Sequence, residues 1–95
     1  MQEVIVNDIK YKLIENYNEG FNEEEFKEKY TEFFECYDYV VGDIAYNKLR
    51  LKGFYDEKSK NVKSYNNIKK LKRYINENCA YGCKYFVLQK ENDLK

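Results

Sequence analysis

Basic and aromatic residues alternate between positions 46 and 54, and this pattern is the strongest indication of a binding chemistry in the chain. Lys48, Arg50 and Lys52 are spaced two apart, so in a strand their side chains lie on one face, with Tyr46 and Phe54 at the two ends of the same row. Cationic side chains neutralise phosphates, and aromatic rings stack on unpaired bases. The row therefore predicts a site for single-stranded nucleic acid on an open sheet face.

A second group of basic residues could extend this row. Lys69, Lys70 and Arg73 fall on the polar face of a predicted helix, and further lysines lie in the loop 56–63 before it. The alternative is an ordinary solvated surface, or pairing with acidic residues elsewhere in the chain. That alternative is favoured by the net charge of 0 and the isoelectric point of about 6.3, which is far below the range of typical nucleic-acid-binding domains.

Asp38 and Asp43 flank the segment YVVG and are the carboxylates whose pairing would matter most. A close pair can transfer protons or hold Mg²⁺. Residues five apart on a strand point to opposite faces, however, so the sequence does not favour a joint site. Because Asp43 follows Gly42, it is predicted to begin a hairpin turn instead.

The cysteine and histidine content argues against a metal or a nucleophilic site. The chain has three Cys and no His, so Ser-His-Asp and Cys-His arrangements within one chain are excluded. Structural zinc normally takes four Cys or His ligands, and only Cys79 and Cys83 are close in sequence, with Cys36 remote. Cys79 is expected to pack as a small apolar residue at the end of a helix. We predict no metal, no cofactor and no catalytic residues.

The elements that position these residues follow from the hydrophobic pattern. Short gaps at residues 7–8 and around residues 45–47 predict two β-hairpins. An apolar run near the C-terminus, apolar on both sides, predicts a central strand. The predicted strands are Val4–Val6, Ile9–Leu13, Tyr37–Ile44, Asn47–Tyr55 and Tyr85–Leu88.

A first helix is predicted to begin after Asn22. The Asn22 side chain can cap the helix, and Glu25 stands three residues later, as a capping box requires. The aromatic residues Phe26, Tyr30 and Phe33 recur at helical spacing and predict that the helix continues to Tyr37.

A second helix is predicted from residue 64 or 66 to residue 78, followed by a stop at Gly82. Its buried stripe consists of Ile68, Leu71, Ile75 and Cys79. The order β-β-α-β-β-α-β predicts one α+β domain over residues 1–95, with a small, mainly antiparallel sheet. Two helices suffice to cover one sheet face, which would leave the other face solvated, curled into a partial barrel or used for binding.

Acidic and basic residues are segregated along the chain. Residues 1–46 contain 12 acidic and 4 basic residues, a net charge of −8, whereas residues 47–73 contain 10 basic and 2 acidic residues, a net charge of +8. The sequence is therefore a dipole, and the fold decides whether the two halves also separate in space.

The N-terminal residues have no basic segment followed by an apolar one, and no apolar run approaches the length of a membrane-spanning helix. We therefore expect a cytoplasmic protein that does not contact a membrane and whose cysteines are reduced.

The segment YDYVVGDIAYNKLRLKGFYDEK, residues 37–58, resembles the signature of the YutD-like family of small bacterial proteins. Residues 9–30 resemble the family's N-terminal strand, loop and helix, and residues 79–88 resemble its C-terminal end. The chain departs from the family pattern at Ile44, Ala45 and Asn47, where the family often has a Trp and small residues. The resemblance implies a cytoplasmic bacterial protein with a compact α+β domain, and it brings no catalytic residues across.

The leading hypothesis is a non-enzymatic binding module that contacts RNA or DNA through the basic hairpin and helix. In this hypothesis Tyr46 or Phe54 stacks on bases, and the phosphates are bound by Lys48, Arg50, Lys52, Lys69, Lys70 and Arg73. The alternative is a protein–protein adaptor or homodimer that uses acidic and basic faces. A small enzyme using carboxylates and Tyr is a third hypothesis, and it would require a deep pocket holding acids of raised pKa. The oligomeric state is left open.

Overall fold

The apolar segment near the C-terminus forms the central strand of an antiparallel sheet. The computed structural model describes residues 2–78 and 84–91. The strands are β1 (Glu3–Val6), β2 (Ile9–Tyr17), β3 (Tyr39–Ala45), β4 (Lys48–Phe54) and β5 (Lys84–Lys90), and their order across the sheet is β1-β2-β5-β3-β4. The predicted α+β class, the antiparallel sheet and the order β-β-α-β-β-α-β are confirmed.

Both hairpins close through two-residue turns. Asn7 and Asp8 join β1 to β2 with φ values of 51° and 66°, and Tyr46 and Asn47 join β3 to β4 with φ values of 54° and 63°. Two successive positive φ angles are the signature of the hairpin turn whose twist matches that of the strands. Asn and Asp tolerate this conformation, whereas a bulky residue such as Tyr46 rarely adopts it.

Helix α1 (Glu23–Lys29) begins as predicted, because the Asn22 side-chain oxygen accepts the Glu25 N–H at 2.9 Å. It ends earlier than predicted. Thr31 is extended, and its hydroxyl accepts the Phe33 N–H at 3.3 Å, so that a separate 3₁₀ segment begins (Glu32–Cys36). Thr favours such caps over helix interiors because its hydroxyl competes for backbone donors. We call α1 and this segment together the α1 layer.

The α1 layer covers one face of the sheet with aromatic side chains. Phe26 is buried against Phe86 and Tyr30 against Tyr11, and the hydroxyls of Tyr11 and Tyr30 lie 2.6 Å apart in a hydrogen bond. Gly42 is required here, because a Cβ at that position would lie 2.2 Å from the Phe86 ring. Because Gly42 on β3 has no side chain, the Phe86 ring of β5 can pack directly on it.

The opposite face is covered by the α2 layer, which consists of the 3₁₀ turn Ile68–Lys70 and helix α2 (Leu71–Asn78). Its apolar residues pack on Val41, Phe54 and Val87. The expectation that both helices share one face is therefore wrong: β3 and β5 are apolar on both sides, so both faces need a cover. The predictions made for Cys79, Gly82 and Cys83 lie outside the described residues.

In residues 2–78 and 84–91, neither helix has the length and apolar composition needed to cross a lipid bilayer.

Candidate nucleic-acid interface

The basic row of β4 lies on the α2 side of the sheet. The register pairs Arg50 with Asp43 and Lys52 with Val41, and these pairs share the face that Val87 and Phe54 occupy. Leu49 and Leu51 point to the α1 layer. The predicted alternation of β4 is therefore confirmed, but the row borders a helix instead of lying on an open sheet.

Arg50 is engaged within the fold. Its guanidinium donates to the Asp43 carboxylate at 2.5 Å, and the Asp43 side chain is only 2% exposed. This hydrogen bond and the carboxylate charge raise the pKa of Arg50. Asp43 lies within β3 and does not begin a turn as predicted, because the hairpin closes later, at Tyr46 and Asn47. The positive charge of Arg50 therefore neutralises the buried Asp43 carboxylate and is not freely available to a ligand.

Lys52 lies among three aromatic rings. Its Nζ is 5.3 Å from the Phe54 ring centroid, 5.7 Å from that of Tyr74 and 5.9 Å from that of Tyr65. These distances are in the range of cation–π attraction. Phe54 itself is 1% exposed and packs edge-to-face on Tyr74 at 5.5 Å. Phe54 points to the same face as Lys52, as predicted, but the α2 layer covers its ring. The predicted role of Phe54 in stacking on bases is therefore corrected.

Between β4 and the α2 layer lies a cleft of about 400 Å³ that brings together cations from separate parts of the chain. Lys70 and Arg73 contribute from the α2 layer, and Arg73 Nε donates to Glu77 at 3.0 Å on the surface. We call this the basic cleft. It is lined by Lys52, Phe54, Ser64, Tyr65, Lys70, Arg73, Tyr74 and Glu77.

The remaining predicted residues lie outside the basic cleft. Lys69 forms an ion pair with Glu57 at 3.1 Å, with both side chains largely exposed. Tyr46 and Lys48 lie at the opposite end of β4, where Tyr46 is 92% exposed at the tip of the hairpin. The structure thus brings Lys52, Lys70 and Arg73 together in the basic cleft. Lys48, Lys69 and Tyr46 do not line it.

Tyr65 is the residue that the sequence prediction missed. It is 69% exposed at the rim of the basic cleft. Its loop is anchored on both sides, because the Asn66 side-chain oxygen accepts the Lys63 N–H at 2.6 Å and the Asn66 carbonyl accepts the Tyr55 N–H at 2.7 Å. The sequence offers only a weak signal for this residue, since Ser64 and Asn66 are typical helix caps and the second helix is predicted to begin at one of them.

The carboxylates Asp38 and Asp56 line a second cleft of about 420 Å³, but both are used to shape the backbone. Asp38 accepts the Asp56 N–H at 2.8 Å, and Asp56 accepts the Lys58 N–H at 2.9 Å. Within the described part of the chain, no group of three or more Cys, Asp and Glu side chains is arranged to hold a metal ion. Asp38 and Asp43 do not form a joint site.

The charge segregation of the sequence persists in space. Residues 22–37, which form the α1 layer, contain six Glu and two Lys, a net charge of −4. Residues 68–77 of the α2 layer contain three Lys, one Arg and one Glu, a net charge of +3. Because the two layers cover opposite faces of the sheet, the molecule has an acidic side and a basic side.

Comparisons with known proteins agree with this architecture. A family model described as "Putative antitoxin YutD-like" matches residues 5–89. The chain is 41% identical over 87 residues to the "Putative antitoxin YutD" of Bacillus subtilis (strain 168), a match that covers 92% of this chain and 96% of that protein. The solution NMR structure of protein yutD from B. subtilis is similar with a TM-score of 0.83 and 39% identity, over 100% of this chain and 86% of that chain. The fold described above and the family resemblance thus lead to one conclusion: the chain belongs to the YutD-like family.

Proposed function

We propose that the chain is a non-enzymatic module that binds single-stranded nucleic acid in the basic cleft. The observation that supports this most directly is the convergence of Lys52, Lys70 and Arg73 on one cleft with an exposed aromatic ring at its rim. Cations that track a phosphate backbone, next to rings that accept unpaired bases, are the elements of a single-strand site.

Lys70 and Arg73 are the residues that bind phosphates in this proposal. Arg73 is paired with Glu77, but both side chains are more than half exposed, at 73% and 61%. An exposed pair of this kind contributes only about 0–1 kcal/mol, so a phosphate can replace the carboxylate. Lys52 is held over the rings at the base of the cleft, where its charge attracts the backbone.

Tyr65 takes the stacking role that Phe54 cannot. Its ring is exposed, lies 5.9 Å from the ammonium of Lys52 and lines the same cleft as Lys70 and Arg73. Aromatic stacking contributes about 1–3 kcal/mol per base. Tyr65 is therefore expected to determine affinity for unpaired bases, whereas the lysines determine dependence on salt.

Tyr46 is the second aromatic residue in this proposal. Its φ of 54° is rare for a bulky side chain, and its ring is 92% exposed. Strained backbone of this kind is concentrated at functional sites. Lys48 lies two residues away on β4. Tyr46 and Lys48 therefore provide a contact for a single-stranded nucleic acid that extends beyond the basic cleft.

Fluorescence anisotropy with labelled single-stranded and duplex RNA and DNA, at low and moderate salt, tests the proposal. We expect micromolar binding that favours single strands and weakens with salt. Lys70→Ala should reduce the salt slope by about one unit, whereas Tyr65→Ala should weaken binding without changing the slope. Tyr17→Ala, at a tyrosine 51% exposed on β2, is the matched control. Absence of binding at low salt, or equal effects of the two Tyr variants, would contradict the proposal.

A protein partner is the second candidate. The B. subtilis relative bears the name "Putative antitoxin YutD", and this name favours recognition of another protein. The acidic side of the molecule offers a surface that nucleic acid would not occupy. Isothermal titration against a purified candidate partner would favour this function if binding persisted in Tyr65→Ala and Lys70→Ala but was lost on reversing charges in the α1 layer.

A further inference from the structure

We propose that the chain associates with itself head to tail, with Phe33 of one copy entering the basic cleft of the next. The α1 layer presents an exposed aromatic side chain on an acidic surface, and the α2 layer presents an aromatic cleft on a basic one. Each copy thus has both halves of one complementary contact.

Phe33 is an unusual surface residue. It is 65% exposed, although its ring contacts Phe34 at 5.2 Å and Tyr37 at 5.6 Å between centroids. The Tyr37 ring in turn lies directly on Gly53, where a Cβ would be 2.2 Å from the ring. The exposed ring thus rests on packed neighbours, which lowers the side-chain entropy that is lost when it is buried.

The surroundings of Phe33 define what it can bind. Glu32 and Glu35 flank it in the same 3₁₀ segment, and the whole α1 layer has a net charge of −4. An aromatic anchor surrounded by acidic residues is complementary to an aromatic recess surrounded by basic ones. When the two surfaces meet, the recess buries the aromatic ring, and the acidic residues around the ring pair with the basic residues around the recess.

The chain itself contains that recess. The basic cleft has a volume of about 400 Å³, and its lining includes the aromatic rings of Tyr65 and Tyr74, the cations Lys70 and Arg73, and the carboxylate of Glu77, which is paired with Arg73. Phe33 belongs to the α1 layer, whereas the cleft lies between β4 and the α2 layer, so the proposed contact forms between two copies. A contact between two different surfaces of the same chain produces open rows or closed rings of copies.

If nucleic acid also binds in the basic cleft, as proposed above, the two ligands exclude each other. Single-stranded nucleic acid would then dissociate the rows, and the rows would protect the cleft when nucleic acid is scarce. The contact between copies is nevertheless a separate claim and is tested without nucleic acid.

Sedimentation velocity at low salt, over protein concentrations from about 10 µM to about 1 mM, tests the contact in the affinity range of weak interfaces. The unmodified chain should associate as its concentration rises, and added salt should reverse this. Phe33→Ala and Tyr65→Ala should each be monomeric at every concentration. Both side chains are exposed, so neither change should affect folding, which circular dichroism verifies.

Mixing the two variants is the decisive experiment. Tyr65→Ala retains the Phe33 side chain and Phe33→Ala retains the intact cleft, so an equimolar mixture should form dimers and no larger species. Tyr17→Ala should associate like the unmodified chain. A monomeric unmodified chain at about 1 mM, or a mixture that remains monomeric although the unmodified chain associates, would overturn the proposal. Loss of nucleic-acid binding alone would overturn only the proposed function.

Discussion

The α1 layer and the α2 layer cover the same sheet, but they are built in different ways. In the α1 layer, Phe26 is fully buried and Tyr30 nearly so, and both pack on large rings of the sheet. In the α2 layer, Leu71, Tyr74 and Ile75 are only partly buried. One layer completes the core, whereas the other leaves a cleft open against β4. Binding surfaces tend to lie in the less tightly packed parts of a fold, and this is where the cations converge.

The charge difference between the layers has a simple origin. The first half of the chain supplies the acidic α1 layer, and the second half supplies the basic α2 layer. Because β3 and β5 are apolar on both sides, the two layers must lie on opposite faces. A segregation in sequence thereby becomes a segregation in space, even though the net charge is 0.

Truncation of one buried aromatic ring on each side of the sheet should give the largest losses of stability. Phe26→Ala removes a ring that contacts Tyr11, Tyr30 and Phe86, whereas Phe54→Ala removes one that contacts Tyr74. We expect the free energy of unfolding to fall by about 4 kcal/mol for Phe26→Ala and by about 3 kcal/mol for Phe54→Ala. Urea denaturation measures both. A larger loss for Phe54→Ala would show that the α2 layer is the main core.

A second test compares the two arginines of the basic side. Arg50→Ala removes the guanidinium bound by the buried Asp43 carboxylate, and we expect it to destabilise the fold by about 2 kcal/mol. Arg73→Ala breaks an exposed pair with Glu77 and should cost less than about 0.5 kcal/mol. Thermal unfolding of both variants measures this difference. Equal effects would mean that the Arg50–Asp43 pair stabilises the fold no more than the exposed Arg73–Glu77 pair does.

The tyrosine pair of the α1 layer gives a smaller effect. Tyr11→Phe leaves the Tyr30 hydroxyl without the partner that lies 2.6 Å away, which should cost about 1 kcal/mol. The double change Tyr11→Phe and Tyr30→Phe should restore most of that loss, because neither hydroxyl is then left unpaired. A double-mutant cycle by urea denaturation measures the coupling. Strict additivity would show that the hydroxyls do not interact.

The same pair predicts a dependence on pH. Burial raises the pKa of Tyr11 above its ordinary value of 10.0, helped by the hydrogen bond to Tyr30, and burial also raises the pKa of Tyr30. The folded state thus holds these protons more tightly, so stability is complete below about pH 10 and falls as the pH rises through the folded values. The fall should be smaller in the double Phe variant. An identical alkaline slope in both proteins would contradict the role of this pair.

Features that depend on local spacing or on turn residues could be predicted from the sequence. These are the faces to which the β4 side chains point, the helix cap at Asn22, both hairpins and the central position of β5. The end of α1 at Lys29 could not be predicted. Thr31 favours a new cap, but the helical spacing of the aromatic residues around it equally favours a continued helix. The burial of Phe54 and the pairing of Arg50 with Asp43 depend on which face α2 covers, and only the assembled sheet decides that.

The basic cleft was predictable only in part. Lys52, Lys70 and Arg73 were identified as basic residues, but their convergence is a tertiary contact between β4 and α2. Tyr65 was missed because a single aromatic in a polar loop has no periodicity to mark it. Arg50, at the centre of the basic row, is the residue least suited to test binding, since its substitution also removes the guanidinium that pairs with the buried Asp43 carboxylate.

The most direct test of the account compares the same charge reversal on the two sides of the molecule. Lys70→Glu alters the basic cleft, and Lys27→Glu alters the acidic α1 layer, while the net charge changes equally. Anisotropy with a labelled single-stranded RNA at low salt should show affinity reduced at least about tenfold for Lys70→Glu, a loss of about 1.4 kcal/mol, and little changed for Lys27→Glu. Equal losses for both variants, or no binding by the unmodified chain, would contradict a nucleic-acid site in the basic cleft.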